Sequence, residues 1–165
     1  MALQMLLELE TGHQLLPPSG RPWRAIGDFI AALENHCNAR LGPDEEELTD
    51  WFQELEANMA EELCLLANAR SHPWYWYGMG QYDQFVADNG PVLSRAQFEA
   101  MLKHAAHSWA DPAALQTVLR QLVTALTPMA MAPFDIRQIM LEAEDVVAAL
   151  RVADRAGLRV RLLAY

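Results

Sequence analysis

Residues 44–69 read DEEELTDWFQELEANMAEELCLLANA, and the spacing of the large apolar side chains in this stretch decides the fold class. With Leu48 set at 0° and each residue advancing about 100°, Leu48, Trp51, Phe52, Leu55, Met59, Leu63 and Leu66 fall between roughly −60° and +60°. Glu46, Asp50, Glu54 and Glu61 fall between roughly 160° and 240° on the same wheel. One side is core and the other is anionic. The pattern predicts one helix over 44–69, opened by Asp44 as N-cap with Glu47 in capping-box position.

Helical signals continue on both sides. Pro22 suits the first turn of a helix running to Ala39, with Trp23, Ile26, Phe29, Ile30 and Leu33 as its buried stripe, and Gly42-Pro43 separates it from the acidic helix. Downstream, Gln81–Asp88 reads as a short helix closed by Asn89-Gly90-Pro91. Ser94 and Gln97 form a capping box for a helix to Ser108. Asp111-Pro112 caps and opens another to Leu126, and Phe134–Ala156 forms the last, terminated by Gly157. At the ends, Leu158–Ala164 partly alternates as an edge strand would, and Ala2–Leu9 is its candidate partner, with Thr11-Gly12 as a turn. The alternative for the N-terminus is a helix, which Met, Leu, Gln and Glu also favour. The expectation is mainly α: one domain over 1–165, a bundle of about six helices with a small β element pairing the two termini.

Composition sets the function classes. The 165 residues carry 22 acidic and 12 basic side chains, a net charge of −10, which disfavours nucleic acid and anionic membrane as direct partners. The excess is N-terminal: residues 1–100 hold 16 acids and 5 bases, and 101–165 hold 6 acids and 7 bases. Between Asp44 and Glu62 nine acids face no Lys or Arg. Of the 12 bases 11 are Arg, a bias that fits GC-rich bacterial coding. No apolar run has the length of a membrane span, and neither anchor nor signal peptide is expected. Cys37 and Cys64 lie far apart and make no disulfide framework, which fits a reducing cytoplasm.

The acidic face is the most specific feature, because solvated helices usually mix signs to gain i,i+4 pairs. It reads either as an ordinary solvated face or as a docking face for a basic protein. Acids four residues apart come every ~6 Å, against one DNA charge per roughly 1.7 Å, so a single row is too sparse to imitate a duplex. The second feature is His72–Phe85, with six aromatics in 14 positions. If extended, it turns Trp74 and Trp76 one way and Tyr75 and Tyr77 the other; the Trp pair is expected inward and the Tyr pair outward as a partner anchor.

Other candidates are weaker. His104 and His107 share one side of a helix and could approach one metal, but no Glu-x-x-His pattern accompanies them, and His36, Cys37 or Asp83 would have to complete the set. His36-Cys37, if close to Cys64, reads as core rather than nucleophile. Arg151, Arg155, Arg159 and Arg161 form a basic C-terminal patch or pair internally with Glu142, Glu144, Asp145 and Asp154. Gly78-x-Gly80 lacks a third glycine, and no serine lies in a nucleophile-elbow or phosphate-loop pattern. No catalytic residue, metal or cofactor is therefore assigned.

The functional expectation is an acidic protein-binding module using Glu46, Asp50, Glu54, Glu61, Tyr75 and Tyr77. In concrete form it is an inhibitor, such as an immunity protein, antitoxin or phage-encoded blocker, that covers a basic site on a partner. The alternatives are a small ligand-binding domain or enzyme using residues 74–85 as pocket wall, and a structural subunit of a larger assembly. The pattern assigns no oligomeric state.

Overall fold

The computed structural model describes residues 4–15, 17, 20–60, 62–71, 80–105, 109–129 and 133–164, with the backbone alone at 71 and 103–105. It is mainly helical, and a small sheet joins the termini. The helices are α1 (Ala25–Cys37), α2 (Glu46–Ala57), α3 (Cys64–Asn68), α4 (Gln81–Asn89), α5 (Arg95–Ala105), α6 (Pro112–Leu126) and α7 (Ile136–Ala156), and a 3-10 turn, Pro43–Glu45, precedes α2. The strands are β1 (Met5–Leu9), β2 (Gln14–Leu15), β3 (Arg70–Ser71) and β4 (Val160–Ala164), in the spatial order β2-β1-β4-β3.

The terminal β element is present in the expected form, strand rather than helix at the N-terminus. β1 runs antiparallel to β4 with Met5 opposite Ala164 and Leu9 opposite Val160. β2 folds back antiparallel on β1 through the turn at Thr11-Gly12, where Gly12 has φ +89° and donates to the Leu9 carbonyl. β4 is not an edge strand, however. β3 adds to its other side in parallel and Ala110 bridges Val160, so β4 is flanked on both sides and buried along its length. Arg161 consequently does not stand on a solvent face. Its guanidinium meets Glu8, its cross-strand neighbour, at 3.0 Å and lies 4.9 Å from the centre of the Trp109 ring. Arg159, the residue before β4, pairs with Glu10 at 3.1 Å, so the two arginines meet carboxylates of β1 and of the turn after it.

Met5, Leu7, Leu9, Val160 and Leu162 on one sheet face join Ile26, Phe29, Ile30, Leu33, Leu115, Leu119, Leu122, Val146 and Leu150 in a single core. α6 and α7 form its most extensive helix pair, and α1 packs on both α3 and α7. The expected caps of α5, α6 and α7 are made. Ser94 and Gln97 exchange backbone-to-side-chain bonds of 2.8 and 3.2 Å, Asp111 accepts from the Ala113 N–H, and Gly157 ends α7 at φ +69°. A smaller aromatic cluster joins α4 to α5: buried Phe98 lies 5.6 Å from Tyr82 and 5.1 Å from Phe85.

Several helix boundaries differ from the sequence reading, those of α1 and α2 most informatively. α1 begins at Ala25, because Trp23 is drawn into a bridge with Met5, and the orphan N–H of Ile26 is capped at 2.8 Å by Glu142 from α7. Residues 44–69 are not one helix. α2 opens at Glu46, one residue later than an Asp44 cap would place it, after the Pro43–Glu45 turn, in which the Glu45 carboxylate accepts the Gly42 N–H at 2.9 Å. It closes at Asn58, whose side chain bonds the Glu54 carbonyl at 3.0 Å, the local competition that makes Asn a poor helix interior. α3 then restarts at Cys64.

Two outcomes test this seam. Replacing Glu8 by Leu leaves Arg161 charged in a buried position and should cost roughly 3–5 kcal/mol in urea unfolding, much of it recovered in the Glu8→Leu, Arg161→Leu double variant. The Glu10 carboxyl is held below its ordinary range, chiefly by the Arg159 backbone N–H. Its contribution is therefore complete above the unfolded carboxylate range and lost as pH falls through the lower folded value. Glu10→Gln should lower Tm at neutral pH and leave it unchanged in strong acid.

Candidate functional site

The placement of α2 follows from its rings. Phe52 is fully buried and lies 5.8 Å from Phe29 of α1, 5.3 Å from Trp51 and 6.0 Å from Phe134, just before α7. Trp51, 7% exposed, stands 6.2 Å from Phe29 and 5.4 Å from Phe134. With Leu55 also buried, this side of α2 is committed to the core. The opposite side has no other course than to face out.

Glu46, Glu47, Asp50 and Glu54 are all exposed. Among the described residues no Lys or Arg forms an ion pair with any of them. Beside them runs a groove of ≈ 550 Å³ in which Leu48, Trp51 and Pro133 supply apolar surface and Asp44, Glu45, Glu47, Asp50 and Glu54 supply carboxylates. The groove follows the boundary between the two sides of the helix, at roughly 200–300° on the wheel. Asp50 and Glu54, singled out by the sequence, line it. Glu46 does not, because it lies nearer 160°, on the far side. Asp44, Glu45, Glu47 and Pro133 were not singled out as binding residues. The sequence reads Glu47 only as a capping-box residue, although its position at roughly 260° on the same wheel could have found it, whereas Pro133 comes from a distant segment and left no local signal.

First-turn acids have an ordinary structural reason, attraction to the positive helix end. That explains Glu46 and Glu47. Asp50 and Glu54 lie beyond the first turn, and the i,i+4 pairs Glu46/Asp50 and Asp50/Glu54 each cost about 0.2–0.5 kcal/mol by like-charge repulsion.

A second cluster lies where α1 and α2 end and α3 begins. Cys37 and Cys64 are joined as a disulfide with Cα atoms 6.1 Å apart, which corrects the expectation that they make no disulfide framework. The cytoplasmic expectation thereby loses its cysteine argument, since disulfides persist in oxidising compartments. The His36 ring stacks on Phe52 at 5.1 Å and its Nε2 lies 3.2 Å from Glu56 Oε1. The Glu56 carboxylate and both sulfurs lie within 4.8 Å of one another. A 27-residue separation gives no motif by which this grouping could be read from sequence.

Glu61, Tyr75, Tyr77, Trp74, Trp76 and His107 lie outside the described residues, as does the side chain of His104. Asp83 is exposed on α4. Two further clefts mix signs: one of ≈ 520 Å³ sets Arg21 and Arg24 beside Glu142 and Asp145, and one of ≈ 320 Å³ sets Arg120 and Arg151 beside Glu144. No helix among the described residues is long and apolar enough to cross a membrane. Comparison with protein-family models, curated proteins and solved structures finds no match.

The two sides of α2 should separate cleanly in thermodynamic measurements. Phe52→Ala is expected to cost roughly 3–5 kcal/mol, whereas Asp50→Asn should leave stability within about 0.5 kcal/mol or raise it. Paired urea melts of the two variants check this.

Proposed function

We propose that the chain is an acidic protein-binding module whose α2 groove receives cationic side chains of a basic partner protein. The observation that carries the reading is the placement of Asp50 and Glu54. Both are mid-helix, without a Lys or Arg ion pair among the described residues, mutually repulsive, and set against the apolar surface of Leu48, Trp51 and Pro133. An arrangement that costs the isolated helix stability is accounted for if a cation completes it. Carboxylates beside apolar surface suit Lys and Arg, whose aliphatic stems lie on carbon while the charged heads meet oxygen. A bare metal cation would gain nothing from the apolar side.

The most concrete form is an inhibitor of the immunity-protein, antitoxin or phage-encoded blocker type, covering a cationic active site. Proteins that process nucleic acids carry basic clefts, and a rigid anionic surface accelerates encounter with them through long-range attraction. The rigidity here comes from Phe52 and Trp51, which hold α2 in place without using its outer side.

The test uses synthetic 12-residue peptides, one rich in Lys and Arg and one of neutral composition, titrated into isotope-labelled protein. The basic peptide should shift amide resonances of residues 47–54, with affinity falling as salt rises. Replacing Glu47, Asp50 and Glu54 together by Gln, Asn and Gln should weaken it roughly tenfold or more at low salt while the fold is retained. Equal binding of the neutral peptide, or unchanged binding by the triple variant, would contradict the reading.

A further inference from the structure

We propose that Cys37, Cys64 and Glu56 form, once the disulfide is reduced, a binding site for a thiophilic divalent cation of the zinc class. Three ligand atoms of the right kind already converge: two sulfurs and a carboxylate oxygen, all within 4.8 Å of one another. They come from three different elements, the end of α1, the end of α2 and the start of α3, so the core that packs these helices holds the donors together. Two thiolates bound at about 2.3 Å to a tetrahedral zinc stand about 3.8 Å apart. The Cα separation of 6.1 Å accommodates that spacing by side-chain rotation, without moving the backbone.

The surroundings of Glu56 supply an independent observation. Glu56 is exposed, yet His36 contacts its carboxylate at 3.2 Å, and His36 is itself fixed by stacking on buried Phe52 at 5.1 Å and 21°. This is the outer support that metal-binding carboxylates commonly have, a hydrogen-bonded neighbour that sets the direction of the ligand oxygen. Two soft sulfurs with one oxygen select zinc or a similar ion over calcium or magnesium, which require all-oxygen shells. Three protein donors leave the fourth tetrahedral position to water.

Disulfide and metal are alternatives at the same two sulfurs. A dithiol reductant delivers two electrons and two protons to the S–S bond and is itself oxidised to a disulfide. Zn²⁺ then binds both sulfurs as thiolates and releases the two protons. In either state the chain between Cys37 and Cys64, which contains all of α2, stays closed at its base. The site is independent of the docking reading and stands or falls separately from it.

The test is a titration of the full-length chain, reduced and kept anaerobic, with Co²⁺ as the spectroscopic probe and Zn²⁺ as competitor. One equivalent of Co²⁺ should give a thiolate-to-metal charge-transfer band that Zn²⁺ abolishes, and bound Zn²⁺ should protect both thiols from alkylation. Glu56→Gln, an exposed substitution that leaves the core intact, should weaken Co²⁺ binding about tenfold or more. A folded, reduced chain that gives no band, thiols alkylated equally fast with and without Zn²⁺, or a Glu56→Gln variant that binds as tightly as the parent would overturn the proposal. If reduction alone unfolds the chain, recovery of helical circular dichroism on adding Zn²⁺ supports the site, and failure to recover overturns it.

Discussion

The ring contacts of Phe52 with Phe29, Trp51 and Phe134 are the constraint on which the rest depends. α2 makes only modest contact with the other helices, and its first turn is carried by an exposed cap. Its orientation therefore rests on the burial of Trp51, Phe52 and Leu55. Aromatic side chains bury large areas and adopt few mutual geometries, so this cluster sets the rotation of α2 about its axis as well as its position. The direction of the carboxylates follows. Asp50 and Glu54 border the groove because Trp51 and Phe52 face the core, and Pro133 lies opposite them because Phe134 is anchored in the same cluster.

The disulfide acts on the same unit from the other end. Cys37 closes α1 and Cys64 opens α3, and joining them holds the two ends of the intervening segment together while the rings hold its middle. Restricting the unfolded chain in this way favours the folded state. The antiparallel pairing of β1 with β4 does a comparable service for the whole chain, since it brings residues 5–9 against 160–164 and seals one side of the core.

What was legible in the sequence followed from short-range rules. Caps at Ser94, Asp111 and Gly157 are satisfied within a few residues, so their signals are complete locally. The buried stripe of α1 and the apolar side of α2 were readable because burial imposes a period of about 3.6 residues. The break between α2 and α3 was not readable. Met59, Leu63 and Leu66 continue the helical spacing across it, and the decision to stop belongs to Asn58 and to the need for Cys64 to reach Cys37, a long-range requirement. Arg161 misled for a similar reason: its alternation with Val160 and Leu162 suggested a solvent face, and Glu8, 153 residues away, is what permits its burial. Within the site, Asp50 and Glu54 were found by the wheel, whereas Pro133 and the Cys37–Glu56–Cys64 grouping exist only in three dimensions.

The central claim is that the carboxylates bordering Trp51 are a binding surface, and zero-length carbodiimide cross-linking addresses it most directly. The complex is captured from the cells that express the protein, and the coupled peptides are identified by mass spectrometry. Such a reagent joins a carboxylate only to an amine in contact with it. The account predicts couplings from Glu47, Asp50 or Glu54 to lysines of a basic partner. Couplings confined to acids elsewhere, such as Asp83, Asp88 or Asp145, with α2 unmodified, would contradict it.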